Sequence, residues 1–436
     1  MSMHVAFFSP ILLLACASTV PASGGNEAFE RAQPSSALTP DRVYSPTIRT
    51  VQCFKAGFEL AAPIIELGST EQVVLRFDDL APDIEDLSYT LVHCDHAWQP
   101  SELPVGIYIE GASNAYLPPG RLSYNTLQPF IHYEVVVPND QMRPMRSGNY
   151  LIKVYRGGDE EDLVLTRRML VMEPVTSINA RVAPTRQVDL RDAAQQVDLT
   201  INTNNLPVQD PFGELHVTIL QNFRWDDART GAQPRFVRGS ELVYDFPDQA
   251  LFMGGNEFRN FDLKDQRFIT NRIERIVPGL GQRVYDAWLL PEAPRTIRRY
   301  NSQQDINGKY LVRNDMVDGD PLGADYFNVH FVLPMEAPLM QEPYVYGQLS
   351  DWQCQPAFRM QWDAERKAYH AAILLKQGFY DFSYVTLARE TSAADITTIE
   401  GSHFETENDY TVLLYYTDRM QRLDRLVGVR WVNSRR

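Results

Sequence analysis

The sequence predicts an all-β protein of three linked β-sandwich-like domains, and three observations lead there. Short apolar-rich runs alternate with turn residues about every dozen positions. Long windows with the spacing of an amphipathic helix are absent. Phe and Tyr number 21 each, and aromatic side chains pack well on a pleated surface. At 436 residues the chain exceeds one compact core, since domains run to about 100–200 residues.

The elements follow in order. The apolar run Val5 to Ala17 has the length of a signal-peptide core and is too short to span a bilayer. Residues 1–23 therefore read as a signal peptide, cut after Ala15-Cys16-Ala17, or as a lipoprotein signal that leaves a lipid anchor at Cys16. The basic residues that open most such signals are missing. Residues 24–40, rich in Gly, Ser, Ala and Pro, read as a disordered leader.

Residues 41–173 form the first expected sandwich. Its strands are "TVQCFKAGFEL", "GSTEQVVLRFDDL", "DLSYTLVHCD", "IHYEVVVPND", "SGNYLIKVYRGG" and "LVLTRRMLVMEP". Pro174 marks its exit, because proline cannot continue a sheet ladder. Residues 174–324 form a middle, mainly-β domain, whose clearest strand is "GELHVTILQN", with Leu215, Val217 and Ile219 on one face. Residues 325–436 form the last sandwich, from "DYFNVHFVLPME" to "DRLVGVRW". Its "YVYGQLSDWQ" opening resembles sandwich modules of the glycogen-binding, immunoglobulin-like type.

Charge and composition exclude some functions. A net charge of −15 argues against a nucleic-acid partner, which needs concentrated positive charge. No later stretch is apolar for long enough to make a transmembrane helix. Cys53, Cys94 and Cys354 remain after processing. That odd number is no disulfide framework, and a Cys53–Cys94 bridge stays open.

His93-Cys94-Asp95-His96 holds metal-ligand side chains, but it ends a strand. His93 and Asp95 then face one way, and Cys94 and His96 the other, so four neighbours cannot wrap one tetrahedral ion. The expected reading is a buried Cys94, an Asp95 capping turn amides, and a Trp98 covering the core edge. The acidic run Asp78, Asp79, Asp83, Glu85, Asp86 lacks the ordered ligand spacing of a calcium loop and reads as a solvated acidic loop. Asp315, Asp318, Asp320 and Asp325 read the same way. Ser402 and His403 are adjacent, with Asp409 further on, but neighbouring strand residues diverge and form no triad. No hydrolase, zinc-protease or nucleotide-loop signature is present. Gly254, Gly255 and Asn256 tolerate positive φ and lie between Phe252 and Phe258, so a tight loop anchored by aromatics is expected. Trp352 and Trp362 would stack on sugar rings if the last sandwich bound carbohydrate, although a tryptophan after a turn is more often a core plug. No catalytic residue, cofactor or metal site is assigned.

Eight stretches, in order, carry a resemblance from about Asp41 to Arg430: "VYSPTIRTVQ", "LVHCDHAWQPSEL", "SGNYLIKVY", "VLTRRMLVMEP", "VTILQNFRWDDA", "FMGGNEFRNFD", "DINGKYLVRN" and "IEGSHFETENDYTVLLYY". The combination resembles the plug protein family of the bacterial type IX secretion system. The resemblance implies a mainly β, non-enzymatic protein in the periplasm, at the periplasmic face of the outer membrane. There it closes the giant β-barrel translocon through protein–protein contact. Residues His93, Cys94, Asp95, Trp98, Gly254, Gly255, Asn256, Phe258, Glu400, Gly401, Asn408 and Tyr410 are candidates for partner contact or for structural roles. The alternative is a periplasmic carbohydrate-binding or hydrolytic β-sandwich protein.

Overall fold

The computed structural model describes residues 40–245, 249–270, 272–279, 284–387 and 393–435. The leader 1–23, Cys16 and nearly all of 24–40 lie outside the described residues. Strands dominate, and the few helices described span only three or four residues each.

The first sandwich is built from residues 41–173. One sheet is ordered Arg42–Val43, Leu163–Met172, Gly148–Arg156, Leu87–Cys94, Ala115–Tyr116, and Ile64–Glu66 joins Leu163–Met172 in parallel. The facing sheet runs Ile48–Lys55, Val73–Asp79, Ile131–Val137, Arg121–Leu122. Period-two alternation accounts for its core: Leu87, Tyr89 and Leu91 meet Val73, Leu75 and Phe77 between the sheets.

The other face of the first sheet is buried as well. Eight of the nine residues of Gly148–Arg156 are buried. Val92, Cys94, Leu151 and Leu170 point away from the first core and pack on Leu220, Leu413, Tyr415 and Leu426 of the middle sandwich. A sheet covered on both sides reads as a near-continuous apolar run, as "NYLIKVY" does.

The middle sandwich corrects the expected boundary at 324/325. Its first sheet is local: Ser177–Pro184, Ala194–Asn202, Glu241–Tyr244 and Phe236–Arg238, with Leu251–Met253 at its side. Its second sheet pairs Leu215–Gln221 with Asp409–Asp418, which in turn pairs with Leu423–Asn433. The last two strands of the chain thus complete the middle sandwich. Conversely, Arg259–Asp262 and Ile273–Pro278, with Tyr285–Leu289, belong to the sheets of the third sandwich. Turn signals locate where strands stop, but they do not encode which strand lies alongside.

The third sandwich centres on Gly378–Leu387 in one sheet and on Tyr326–Pro334 with Ala368–Lys376 in the other. Its core is aromatic: the Phe261 ring stacks on Tyr380 at 5.2 Å, and Tyr310 stacks on the other side at 5.1 Å. It joins the first sandwich through a buried ionic contact. Lys376 Nζ lies 2.6 Å from Asp78 Oδ2, and each side chain is 1% exposed. His132 Nδ1 at 2.7 Å and the Tyr326 hydroxyl at 2.7 Å complete the carboxylate's shell. This corrects the reading of 78–86 as a solvated loop: Asp78 and Asp79 end a strand and are buried. Tyr326 and Lys376, remote in sequence, supply the partners that make burying Asp78 tolerable.

Breaking one half of a buried pair strands the other charge. Lys376→Met should cost about 3–5 kcal/mol in urea unfolding, while Lys376→Met combined with Asp78→Asn should recover most of the loss. Equal destabilisation by the single and double variants would remove the pairing argument.

Candidate functional site

The candidate residues fall into two loop clusters and are mostly buried, with Asp95 and Asn256 half-buried. In the first, Asp95 Oδ1 accepts from the amides of Ala97 at 2.9 Å and Gln99 at 2.8 Å, the capping role expected of it. The turn lets Trp98 adopt φ 65° and swing into the seam between the first and middle sandwiches. There Trp98 meets Trp225 edge-on at 5.1 Å, and the Arg168 guanidinium sits 4.8 Å and 4.7 Å from the two rings. Cys94 is fully buried, and burial pushes its thiol up to about 12. Cys53 and Cys354 are likewise free thiols.

The alternation expected of this strand end is visible. His93 lies with Tyr108 and Tyr150 and contacts Ser101 Oγ at 3.0 Å and the Ser147 carbonyl at 3.3 Å. Burial lowers its pKa. His96 leaves the strand and pairs with Asp424 at 2.6 Å, where the carboxylate holds its imidazole above its ordinary range. His96 also stacks on His216 at 3.7 Å. The two histidines therefore serve different neighbours. Among the described residues, no three His, Cys, Asp or Glu side chains are grouped as metal ligands.

The second cluster brings residues 254–258 against residues 400–410, although some 140 positions separate them. Gly254 is required by a close approach: a Cβ there would lie 2.0 Å from the His403 carbonyl oxygen. Gly255 takes φ +65°, its amide donates to Ser402 Oγ at 3.0 Å, and its carbonyl accepts from Thr406 Oγ1 at 2.8 Å. Asn256 Nδ2 donates to the Glu400 carbonyl at 2.9 Å. Gly401 turns the chain at φ +77°. Asn408 Nδ2 donates to the Gly254 carbonyl at 2.9 Å and to Gln195 at 3.1 Å, and the Tyr410 hydroxyl donates to the same Gln195 oxygen at 2.7 Å. Phe258 closes the loop against Trp352 at 6.0 Å.

Glu400 is the charged centre of this cluster. It is 1% exposed and receives Arg259 at 3.0 Å, Arg295 at 2.7 Å and the Tyr384 amide at 2.8 Å. Burial raises its pKa, but the two arginines and these hydrogen bonds outweigh it and lower the carboxyl to about 2. Arg259 is itself 1% exposed and also holds Glu292 at 2.6 Å. Sequence reasoning named Glu400 and missed Arg259 and Arg295. The signal was an arginine between two phenylalanines in "EFRNF", on a strand whose neighbours are core.

The groups weighed for catalysis and sugar binding make packing contacts and hydrogen bonds of their own. Ser402 Oγ donates to the Ala193 carbonyl at 2.6 Å, and the Asn307 amide nitrogen lies 3.2 Å from Asp409 Oδ2. Trp352 is wedged among Phe258, Tyr346 and Arg224, and Trp362 lies against Tyr369 at 5.0 Å. Trp352 is the plug of a core, as its position after a turn suggested.

Comparison with known proteins adds the following. Residues 48–173 match the family model described as type 9 secretion system plug protein 1st domain. The chain is also similar to a crystal structure of a hypothetical protein from Parabacteroides merdae ATCC 43184. The two are 30% identical with a TM-score of 0.86, over 90% of this chain and 99% of the other. A search of the curated proteins finds no match.

The buried carboxylates set a pH profile with two limbs. Glu400 is lowered from 4.5 to about 2, so its stabilisation is complete above pH 4.5 and disappears as pH falls towards 2. Asp381 and Asp305 go the other way. Burial, with their mutual repulsion on Asp381, raises them from 3.8 to about 8 and about 6. The folded chain then binds more protons than the unfolded one, so stability falls as pH rises from about 4 to 8. Chemical unfolding should therefore give a maximum near pH 4–5, and Glu400→Gln should make the acid limb shallower, Asp78 and Asp424 carrying the rest of it, while leaving the alkaline limb. A maximum that lies at pH 7 or above would contradict the assignment of Asp381.

Proposed function

Since the chain belongs to the plug protein family of the type IX secretion system, we propose that it closes the system's outer-membrane translocon barrel from the periplasmic side. It does so by occupying space, without catalysis. The carrying observation is the family match over the first sandwich. The packing is consistent with that work. A barrel with an aqueous lumen needs a bulky, stiff body to seal it. Here the sandwiches are joined by apolar seams, by Lys376–Asp78, and by the forked Arg167–Asp351 contact at 3.0 Å.

The burial of most motif residues favours a contact surface elsewhere. Gly254, Asn408, Glu400 and Trp98 hold the body together, and their burial leaves contact to other residues. Within the matched domain, the segment 116–127 exposes Tyr116 at 68%, Leu122 at 63%, Leu127 at 44% and Tyr124 at 40%. Large apolar groups in water on one connection suit a protein partner. We assign the barrel contact to this segment.

Two measurements test the reading. A tagged chain should copurify with the outer-membrane barrel from detergent extracts, and Tyr116→Asp with Leu122→Asp should reduce recovery about tenfold or more while leaving the melting temperature within a few degrees. A strain lacking the chain and any competing barrel partner should admit a large antibiotic that the parent excludes. Unchanged permeability would defeat the plug reading, and undiminished recovery would defeat the assignment of the segment.

A further inference from the structure

The connection between Tyr285–Leu289 and Tyr310–Val312 runs for 20 residues without strand or helix. Structureless connections of that length are uncommon in compact domains and are often functional. This one folds over a cavity of about 300 Å³ whose lining includes five arginines: Arg259, Arg272, Arg295, Arg298 and Arg299. The carboxylates that pair with these arginines are Glu292 and Glu400. Five positive charges against two negative ones leave an excess of three, in a chain whose net charge is −15.

The donors are incompletely used. A guanidinium carries five N–H groups. Arg295 spends its Nε on Glu400 at 2.7 Å and one donor of Nη2 on the Glu257 carbonyl at 2.8 Å. Arg272 contacts Glu292 at 3.1 Å and Gln303 at 2.7 Å. Arg298 and Arg299 are exposed and make no side-chain ion pair among the described residues. The inner guanidiniums are fixed by the buried Glu400 and the half-buried Glu292, while the outer ones are free. Arginine forks match the tetrahedral oxygens of phosphate in bidentate fashion, better than a point charge does.

A second feature adjoins the cavity. Ile297, between Arg295 and Arg298, is 97% exposed. An isoleucine held almost wholly in water, flanked by arginines, has the character of an interfacial loop: the apolar tip enters the acyl boundary and the cations take the headgroups.

We infer that the arginine cavity beneath the Leu290–Lys309 connection binds a phosphate group, and that Ile297 directs it to the phosphate of an anionic lipid. The inference goes beyond closure of a translocon and does not depend on it.

The full chain is mixed with phosphatidylglycerol–phosphatidylcholine vesicles, with phosphatidylcholine vesicles, and, in a calorimeter, with inorganic phosphate. Cosedimentation with the anionic vesicles alone is expected. It should weaken about tenfold or more in Arg298→Glu with Arg299→Glu, and stay unchanged in the matched charge reversal Arg366→Glu with Lys367→Glu on another exposed turn. Ile297→Ser should weaken vesicle binding and spare inorganic phosphate. Heat with inorganic phosphate, abolished by the Arg298/Arg299 variant but without vesicle binding, would support the phosphate site and give it a soluble ligand. Equal losses in both charge reversals, no binding to either probe, or binding to a tetraglutamate peptide in preference to phosphate would each overturn it. Both variants change exposed residues, and melting curves verify their folding.

Discussion

The structure depends on one sheet being covered twice. Gly148–Arg156 and its neighbours give alternate side chains to their own sandwich and to the middle one. A strand in that situation has no face left for solvent, so its polar groups must find partners within the protein. They do: Asn149 bonds the Asp95 carbonyl and the Tyr415 hydroxyl, and Lys153 reaches out to Glu160. The Trp98–Arg168–Trp225 stack closes the same seam at one side, where a cation sits against two indoles with little access for water.

A second set of constraints comes from charges placed where apolar residues would suffice. Asp78–Lys376 and Arg167–Asp351 lie between the first and third sandwiches, and Arg259–Glu400 ties a strand of the third sandwich to the short helix Thr397–Glu400. Replacing such pairs by apolar residues of equal volume is often neutral or stabilising, so their worth lies elsewhere. Each charge accepts only a counter-charge at a fixed place. A sandwich docked in a shifted register would bury an unpaired ion, and the penalty for that exceeds the gain from the correct pair. The first two pairs thus select one docking of the first sandwich on the third.

Sequence alone made the strands legible, because alternation and turn residues are local signals. "SYTLVH" and "GELHVTILQN" are strands as expected, and Asp95 caps the turn its position suggested. Pairing was not legible. Nothing in "NDYTVLLYY" announces that it adjoins "LHVTILQ" rather than the strands before it, since backbone ladders carry no side-chain identity and register follows from which faces can be buried. The candidate residues were found as motifs but not as partners. Gly254 and Asn408 meet across the fold, and their attraction for one another is written in a backbone carbonyl that any residue possesses. The buried arginines were invisible for the opposite reason: arginine is normally a surface residue.

The strand order has a consequence in time. Leu215–Gln221 waits for Asp409–Asp418 and Leu423–Asn433 before its sheet has a partner on that side. A chain that emerges from its N-terminus therefore holds one edge of Leu215–Gln221 unpaired until residues 409–433 arrive. Loss of the final hairpin removes no separate module. It opens the middle sandwich, because Leu215–Gln221 then lacks its neighbour on that side.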